Sequence, residues 1–150
     1  MFDLSVMDIV IDMARSCRNG EVPVAAAVVL DETIISAATN EVETSDIPWH
    51  HAEFLAVEGA LKKLGSRYLE MASLYVTLEP CAFCAAVLEK VRIKNIYFGA
   101  YDPKFGAICH NIRLFEHSFI RPNVVGGIRE ELCSNILKEF FKMLRIKEDL

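Results

Sequence analysis

Two short stretches, His51-Ala52-Glu53 and Leu78-Glu79-Pro80-Cys81-Ala82-Phe83-Cys84, constrain the folding of this chain more than anything else in it. Cys81 and Cys84 stand three positions apart, so a helix opened by Pro80 would carry both thiols on one face of its first turn. The unpaired amides and positive dipole end found there favour the thiolate form. Between the two stretches the pattern predicts a helix from about His50 to Leu64 and a strand over Ser73–Leu78. Roughly fourteen helical residues at 1.5 Å each descend about 21 Å, and six strand residues at about 3.3 Å return about 20 Å. The starts of two helices, carrying His51, Cys81 and Cys84, should therefore meet at one sheet edge.

One imidazole and two thiolates are three ligands for a cation that prefers four. Soft sulfur with imidazole selects zinc, and an open fourth place marks a catalytic rather than a structural ion. Glu53, two positions after His51, is badly angled to coordinate and well placed to carry protons. Two other readings fit parts of the pattern. Cys-x-x-Cys at a strand-to-helix junction is also a thioredoxin-like redox pair, which the His51–Glu53 partner argues against. A structural zinc needs a fourth ligand, for which His50, Cys109 and His110 are the nominal candidates.

The rest of the chain supplies support. Val6, Val10, Met13, Ala14 and Cys17 recur at helical spacing, with Gly20 as the C′ residue. Val22–Leu30 and Thr33–Ala38 are apolar runs around Asp31-Glu32, which reads as an antiparallel hairpin buried on both faces. Thr39–His50 reads as a polar loop building a substrate wall. A helix over Cys81 to about Leu88 and a strand over Asn95–Gly99 follow, and strand–helix alternation here implies parallel pairing. Leu132, Ile136, Leu137, Phe140, Phe141 and Leu144 define an amphipathic last helix.

With 150 residues the chain has the length of one domain, here expected over residues 1–150. No apolar run approaches the roughly 18 residues of a membrane span, and acids Asp3, Asp8 and Asp12 stand where a signal peptide carries bases, so a cytoplasmic protein is expected. The five cysteines suggest no disulfide framework, in keeping with a reducing compartment. A hydrophobic fraction of 53% is high for a soluble chain and implies a core on both sheet faces or a buried subunit interface. Net charge is −5 but unevenly divided: residues 1–53 carry two Arg and ten Asp/Glu, residues 54–150 fourteen Lys/Arg and eleven Asp/Glu. Bases gather at Lys90, Arg92 and Lys94 and at Lys142, Arg145 and Lys147, either as a solvated surface or as a phosphate track.

His-x-Glu with Pro-Cys-x-x-Cys resembles the signature of the zinc-dependent nucleobase deaminases. Over nearly its whole length the chain is similar to the bacterial tRNA-specific adenosine deaminases, in Glu21-Val22-Pro23-Val24, His51-Ala52-Glu53, Tyr75 to Cys81, Phe98-Gly99-Ala100, Asp102-Pro103-Lys104 and Phe140-Phe141-Lys142. The resemblance implies a cytidine-deaminase-like three-layer α/β/α sandwich with a five-stranded mixed sheet, acting as a homodimer. It implies conversion of adenosine to inosine at the wobble position of a tRNA anticodon loop, with one zinc ion on His51, Cys81 and Cys84. Glu53 would be the catalytic residue, and Asn40 and Ala52 would meet the substrate. Ala25, Thr39, Ile47 to His50 and Phe83 depart from that family's usual residues, mostly near the substrate. Deamination of a small nucleobase or nucleoside of cytosine, guanine or cytidine type is the alternative, and a zinc-bearing binding subunit without chemistry a further one.

Overall fold

The structure, a computed structural model, describes residues 1–150. Five strands, β1 (Ala25–Leu30), β2 (Thr33–Thr39), β3 (Ser73–Leu78), β4 (Asn95–Ala100) and β5 (Asn123–Val125), form one sheet in the order β2-β1-β3-β4-β5. β1 pairs antiparallel with both β2 and β3, whereas β3–β4 and β4–β5 are parallel. The helices are α1 (Leu4–Arg15), α2 (Val42–Ser45), α3 (Ala52–Leu64), α4 (Ala82–Lys90) and α5 (Glu130–Glu148). None is long and apolar enough to cross a membrane.

Period-two alternation explains why the central strands are apolar throughout. Ala26 and Val28 of β1, Leu74 and Val76 of β3, and Ile96 and Phe98 of β4 pack with Ala56, Val57 and Ala60 of α3 and Ala85 and Leu88 of α4. The intervening Ala25, Ala27, Tyr75 and Tyr97 pack with Val6, Met7, Val10, Ile11 and Ala14 of α1 and Cys133 of α5. Two cores on opposite faces of a mixed sheet make the three-layer α/β/α sandwich. Gly99 lets α5 come close, because a Cβ there would collide with the Cys133 sulfur and the Thr77 carbonyl.

Several details depart from the sequence reading. The first helix ends at Arg15, capped by Ser16, so Cys17 lies beyond it and Gly20 (φ +89°) sits in the following turn rather than at C′. Strand β1 begins at Ala25, leaving Val22 and Val24 outside it. Strand β2 is an edge strand, half-buried at most positions, so the hairpin is covered on both faces only along β1. Its two-residue turn places Asp31 and Glu32 both at positive φ, 49° and 62°, the geometry that matches strand twist. Parallel pairing holds for β3 and β4, but β1 separates β2 from β3. The loop after β2 contains α2, and the three-residue β5 has too little pattern to be read beforehand. Helix α5 buries only Cys133; Leu132, Phe141, Met143, Leu144 and Ile146 are exposed.

Candidate functional site

The first turns of α3 and α4 converge beyond the end of β3. His51 is the N-cap of α3 and Cys81 that of α4, and neither side chain caps its own helix. The His51 Nδ1 instead lies 3.5 Å from the Sγ of Cys81 and 3.5 Å from that of Cys84. The three donor atoms all lie within 4.8 Å of one another, and no fourth His, Cys, Asp or Glu joins them. His50, Cys109 and His110 are thus outside the cluster. His50 instead stacks on Phe54, with ring centroids 6.1 Å apart.

Electrostatics follow from this crowding. Hydrogen bonding from Cys84, aided by His51, outweighs burial and holds Cys81 down at about 4. Cys84, bonded to that thiolate and itself buried, is pushed up. The Cys81 hydrogen bond raises His51 against the effect of burial. Two sulfurs and an imidazole therefore compete for too few protons in a small space, which is the condition a soft divalent cation relieves. The donor set fits zinc held by three protein ligands.

Glu53 is 5% exposed, in the first turn of α3 beside Cys84. Burial raises its pKa, against the lowering influence of its own backbone amide and of His51. Asn40 closes the other side: its Oδ1 accepts the Ala52 amide at 2.8 Å, tying the end of β2 to the start of α3, while its Nδ2 donates to no group of the chain. Asn40 lines the cleft with His51, Glu53 and Cys81. Ala52 is fully buried, and its amide is occupied by Asn40. The cleft above them has a volume of about 1010 Å³, bounded by Val42 and Glu43 of α2, Tyr101, Asp102, Lys104 and Phe105 of the loop after β4, and Leu137, Lys138 and Phe141 of α5.

Two buried carboxylates that sequence reasoning passed over hold these walls. Glu21, 2% exposed, accepts the amides of Glu43 (2.9 Å) and Thr44 (2.7 Å) and the Thr44 hydroxyl (2.6 Å). Glu79 accepts the amides of Asp102, Ile108 and Cys109, and the Nδ1 of His110 stands 2.8 Å from its Oε1. Burial alone would raise both carboxyls; the bonds from Thr44 and Glu43 in one case, and from Cys109 and His110 in the other, outweigh it and lower them. An acid closing the apolar strand Leu74–Leu78 was the available signal for Glu79.

Aromatic side chains also gather here. Trp49 packs on Phe83 (6.4 Å between centroids), and Phe83 on Phe54 (5.9 Å), forming a half-exposed aromatic cluster beside the metal donors.

A mixed sheet presenting a His/Cys/Cys cluster and a buried glutamate at two helix starts defines a deaminase-type α/β/α domain. The chain matches the MafB19-like deaminase family over residues 3–145 and belongs to it. Within that family it groups with the tRNA-specific adenosine deaminases. It is 41% identical to the tRNA-specific adenosine deaminase of Rickettsia felis over 85% of this chain and 91% of that protein, and 37% identical to that of Bacillus subtilis over 97% and 92%. A structure solved in a study of A-to-I editing by tRNA:A34 deaminases at the wobble position of transfer RNA superposes with a TM-score of 0.86 at 36% identity, covering 90% of this chain and all of that one. Guanine deaminase from Bacillus subtilis gives 0.63 at 28% identity over 79% and 71%.

Proposed function

We propose that this chain is a zinc-dependent hydrolase that converts adenosine to inosine at the wobble position of a tRNA anticodon. The observation that carries it is the trio His51, Cys81 and Cys84 converging beside a buried Glu53 at the foot of an open cleft. His51 through Nδ1 and the two cysteine sulfurs would hold the ion. When bound, zinc supplies the acidity that makes water a nucleophile near neutral pH.

Glu53 takes the proton lost by water as its oxygen adds to C6 of the adenine, and delivers it to N1. It then takes the proton of the new C6 hydroxyl and passes it to the amino group, so that the C6–N bond breaks, ammonia leaves and the C6 carbonyl of inosine forms. One carboxyl serves both transfers because burial raises its proton affinity towards the working range. Asn40, with its Nδ2 donors uncommitted, would bond an acceptor on the purine edge. Ala52 would serve the site through the amide bond to Asn40 that fixes this donor. The target base must be unstacked to reach this depth, which an anticodon loop allows.

The cleft has room for more than the target base. About 1010 Å³ exceeds what one base fills and reaches the top of the roughly 300–1,000 Å³ range for drug-sized ligands. Lys104 and Lys138 on its rim supply charge for flanking phosphates. The guanine deaminase likeness and the acidic first third of the chain favour the second reading, a free nucleobase substrate. Inosine formation and ammonia release should be compared for tRNA with adenosine at the wobble position and for free guanine, cytosine and adenosine. Turnover of the tRNA is expected; turnover of a free base alone would replace the first reading with the second.

The aromatic cluster in which Trp49 and Phe83 are exposed and the uncovered side of α5 support a homodimer, for which light scattering should return twice the chain mass. The enzyme is assigned to the cytoplasm, as a single domain over residues 1–150.

A further inference from the structure

The strongest unassigned feature is the Glu79 carboxylate, which touches neither the metal donors nor Glu53 in any hydrogen bond yet is the most heavily bonded side chain of the molecule. Its side chain has no solvent exposure. Oε1 accepts the Asp102 amide at 3.1 Å and faces His110 Nδ1 at 2.8 Å; Oε2 accepts the amides of Cys109 at 2.9 Å and Ile108 at 3.2 Å. Four donors from a nine-residue loop thus converge on one anion, the pattern by which a carboxylate orders irregular backbone.

The neighbouring bonds point the same way. The Ala107 amide donates to the Pro80 carbonyl at 2.9 Å, and Cys81 forms a bridge with Gly106. Gly106 lies directly against the Glu79 carboxyl, so that a Cβ would strike it and the Asp102 carbonyl. The Asn111 side-chain amide closes the far end of the loop on the Gly106 carbonyl at 2.8 Å. What this loop presents outward is a cation and aromatic rings: Lys104 stands over the Phe105 ring, 5.1 Å from its centroid, with Phe105 64% exposed and Tyr101 38% exposed on the cleft wall. A ring and a cation held on rigid backbone suit stacking on an unpaired base and pairing with its phosphate.

We infer that Glu79 is a positioning residue: with His110 it locks Asp102–His110 as the cleft wall that grips the nucleotides flanking the target adenosine. The inference rests on the RNA substrate proposed above. It assigns Glu79 to the grip on flanking RNA, and leaves the chemistry to Glu53 and the ion to His51, Cys81 and Cys84.

Glu79→Gln keeps the shape but sets an NH2 group against backbone N–H donors. For an anticodon stem–loop RNA, KM should rise about tenfold or more with kcat within about threefold, the pattern of lost substrate binding. Metal content should stay at that of the unaltered enzyme. Hydrogen exchange at the Asp102, Ile108 and Cys109 amides should speed up about tenfold or more, while the Ala27 and Val28 amides of β1 hold their rates. His110→Ala, which removes only the outermost donor, should raise KM about threefold, and His110→Gln, which restores a donor, should recover most of that. Should Glu79→Gln fail to fold, the two His110 variants carry the test alone. Loss of metal, a fall in kcat at constant KM, or unchanged exchange and KM in the variants would each overturn the inference. Inactivity of the unaltered enzyme on RNA counts against the assigned reaction only, because the exchange comparison needs no substrate.

Discussion

Glu53 and Glu79 are both buried glutamates two positions from a metal donor, and they sit in opposite surroundings. Glu53 faces sulfur and apolar packing with little to stabilise its charge, so burial wins and its proton affinity goes up. Glu79 meets four donors, which overcome burial and drive its proton affinity down. A carboxyl starved of partners can pick up and release a proton during a reaction, whereas one saturated with partners is fixed as an anion and serves as a scaffold. Burial alone does not separate the two roles; the donor count does.

The contrast can be broken most sharply by exchanging each acid for its amide or for alanine. Glu53→Gln should keep its zinc and lose about a hundredfold or more in turnover, measured by inosine formation at saturating RNA. Glu79→Ala leaves the Asp102, Ile108 and Cys109 amides without their acceptor, and should lower unfolding free energy by about 3 kcal/mol or more in denaturant titration. If the two variants exchanged phenotypes, the assignment of roles would be reversed.

Smaller effects sharpen the same division through pH. In metal-stripped protein the raised Glu53 favours the folded state while protonated. That contribution should be lost as pH climbs from the ordinary carboxyl range through the raised folded value, and Glu53→Gln should flatten this limb. Glu21 runs the other way. Its lowered folded value contributes stability above the ordinary glutamate range that is lost as pH falls through it. Glu21→Gln should therefore move the acid unfolding midpoint to higher pH by a few tenths of a unit, seen by circular dichroism.

The same division marks what was legible in the sequence. His51, Glu53, Cys81 and Cys84 could be brought together from helix and strand lengths because rigid elements translate residue counts into distances. Strand β3 and helices α3 and α4 fall where their patterns put them, within one or two residues. What could not be read is set by pairing across the sheet or by loops. The position of β1 between β2 and β3 depends on which edge the hairpin docks to. The three residues of β5 take their extended form from β4. Helix α1 stops before Cys17 although the apolar spacing continues, and the Cys17 sulfur lies instead by the carbonyls of Val22 and Asn40. Glu21 carries no mark of burial in the sequence, and for Glu79 only its place at the end of an apolar strand hints at it: an acid in sequence looks solvated until the loop amides that surround it are placed.

Metal and product measured in one sample test the site most directly. Purified protein should carry one zinc per chain and form inosine at the wobble position of tRNA; removing the ion with a chelator should abolish the product, and adding zinc should restore it. Undiminished inosine formation by metal-free protein would contradict the roles given to His51, Cys81 and Cys84.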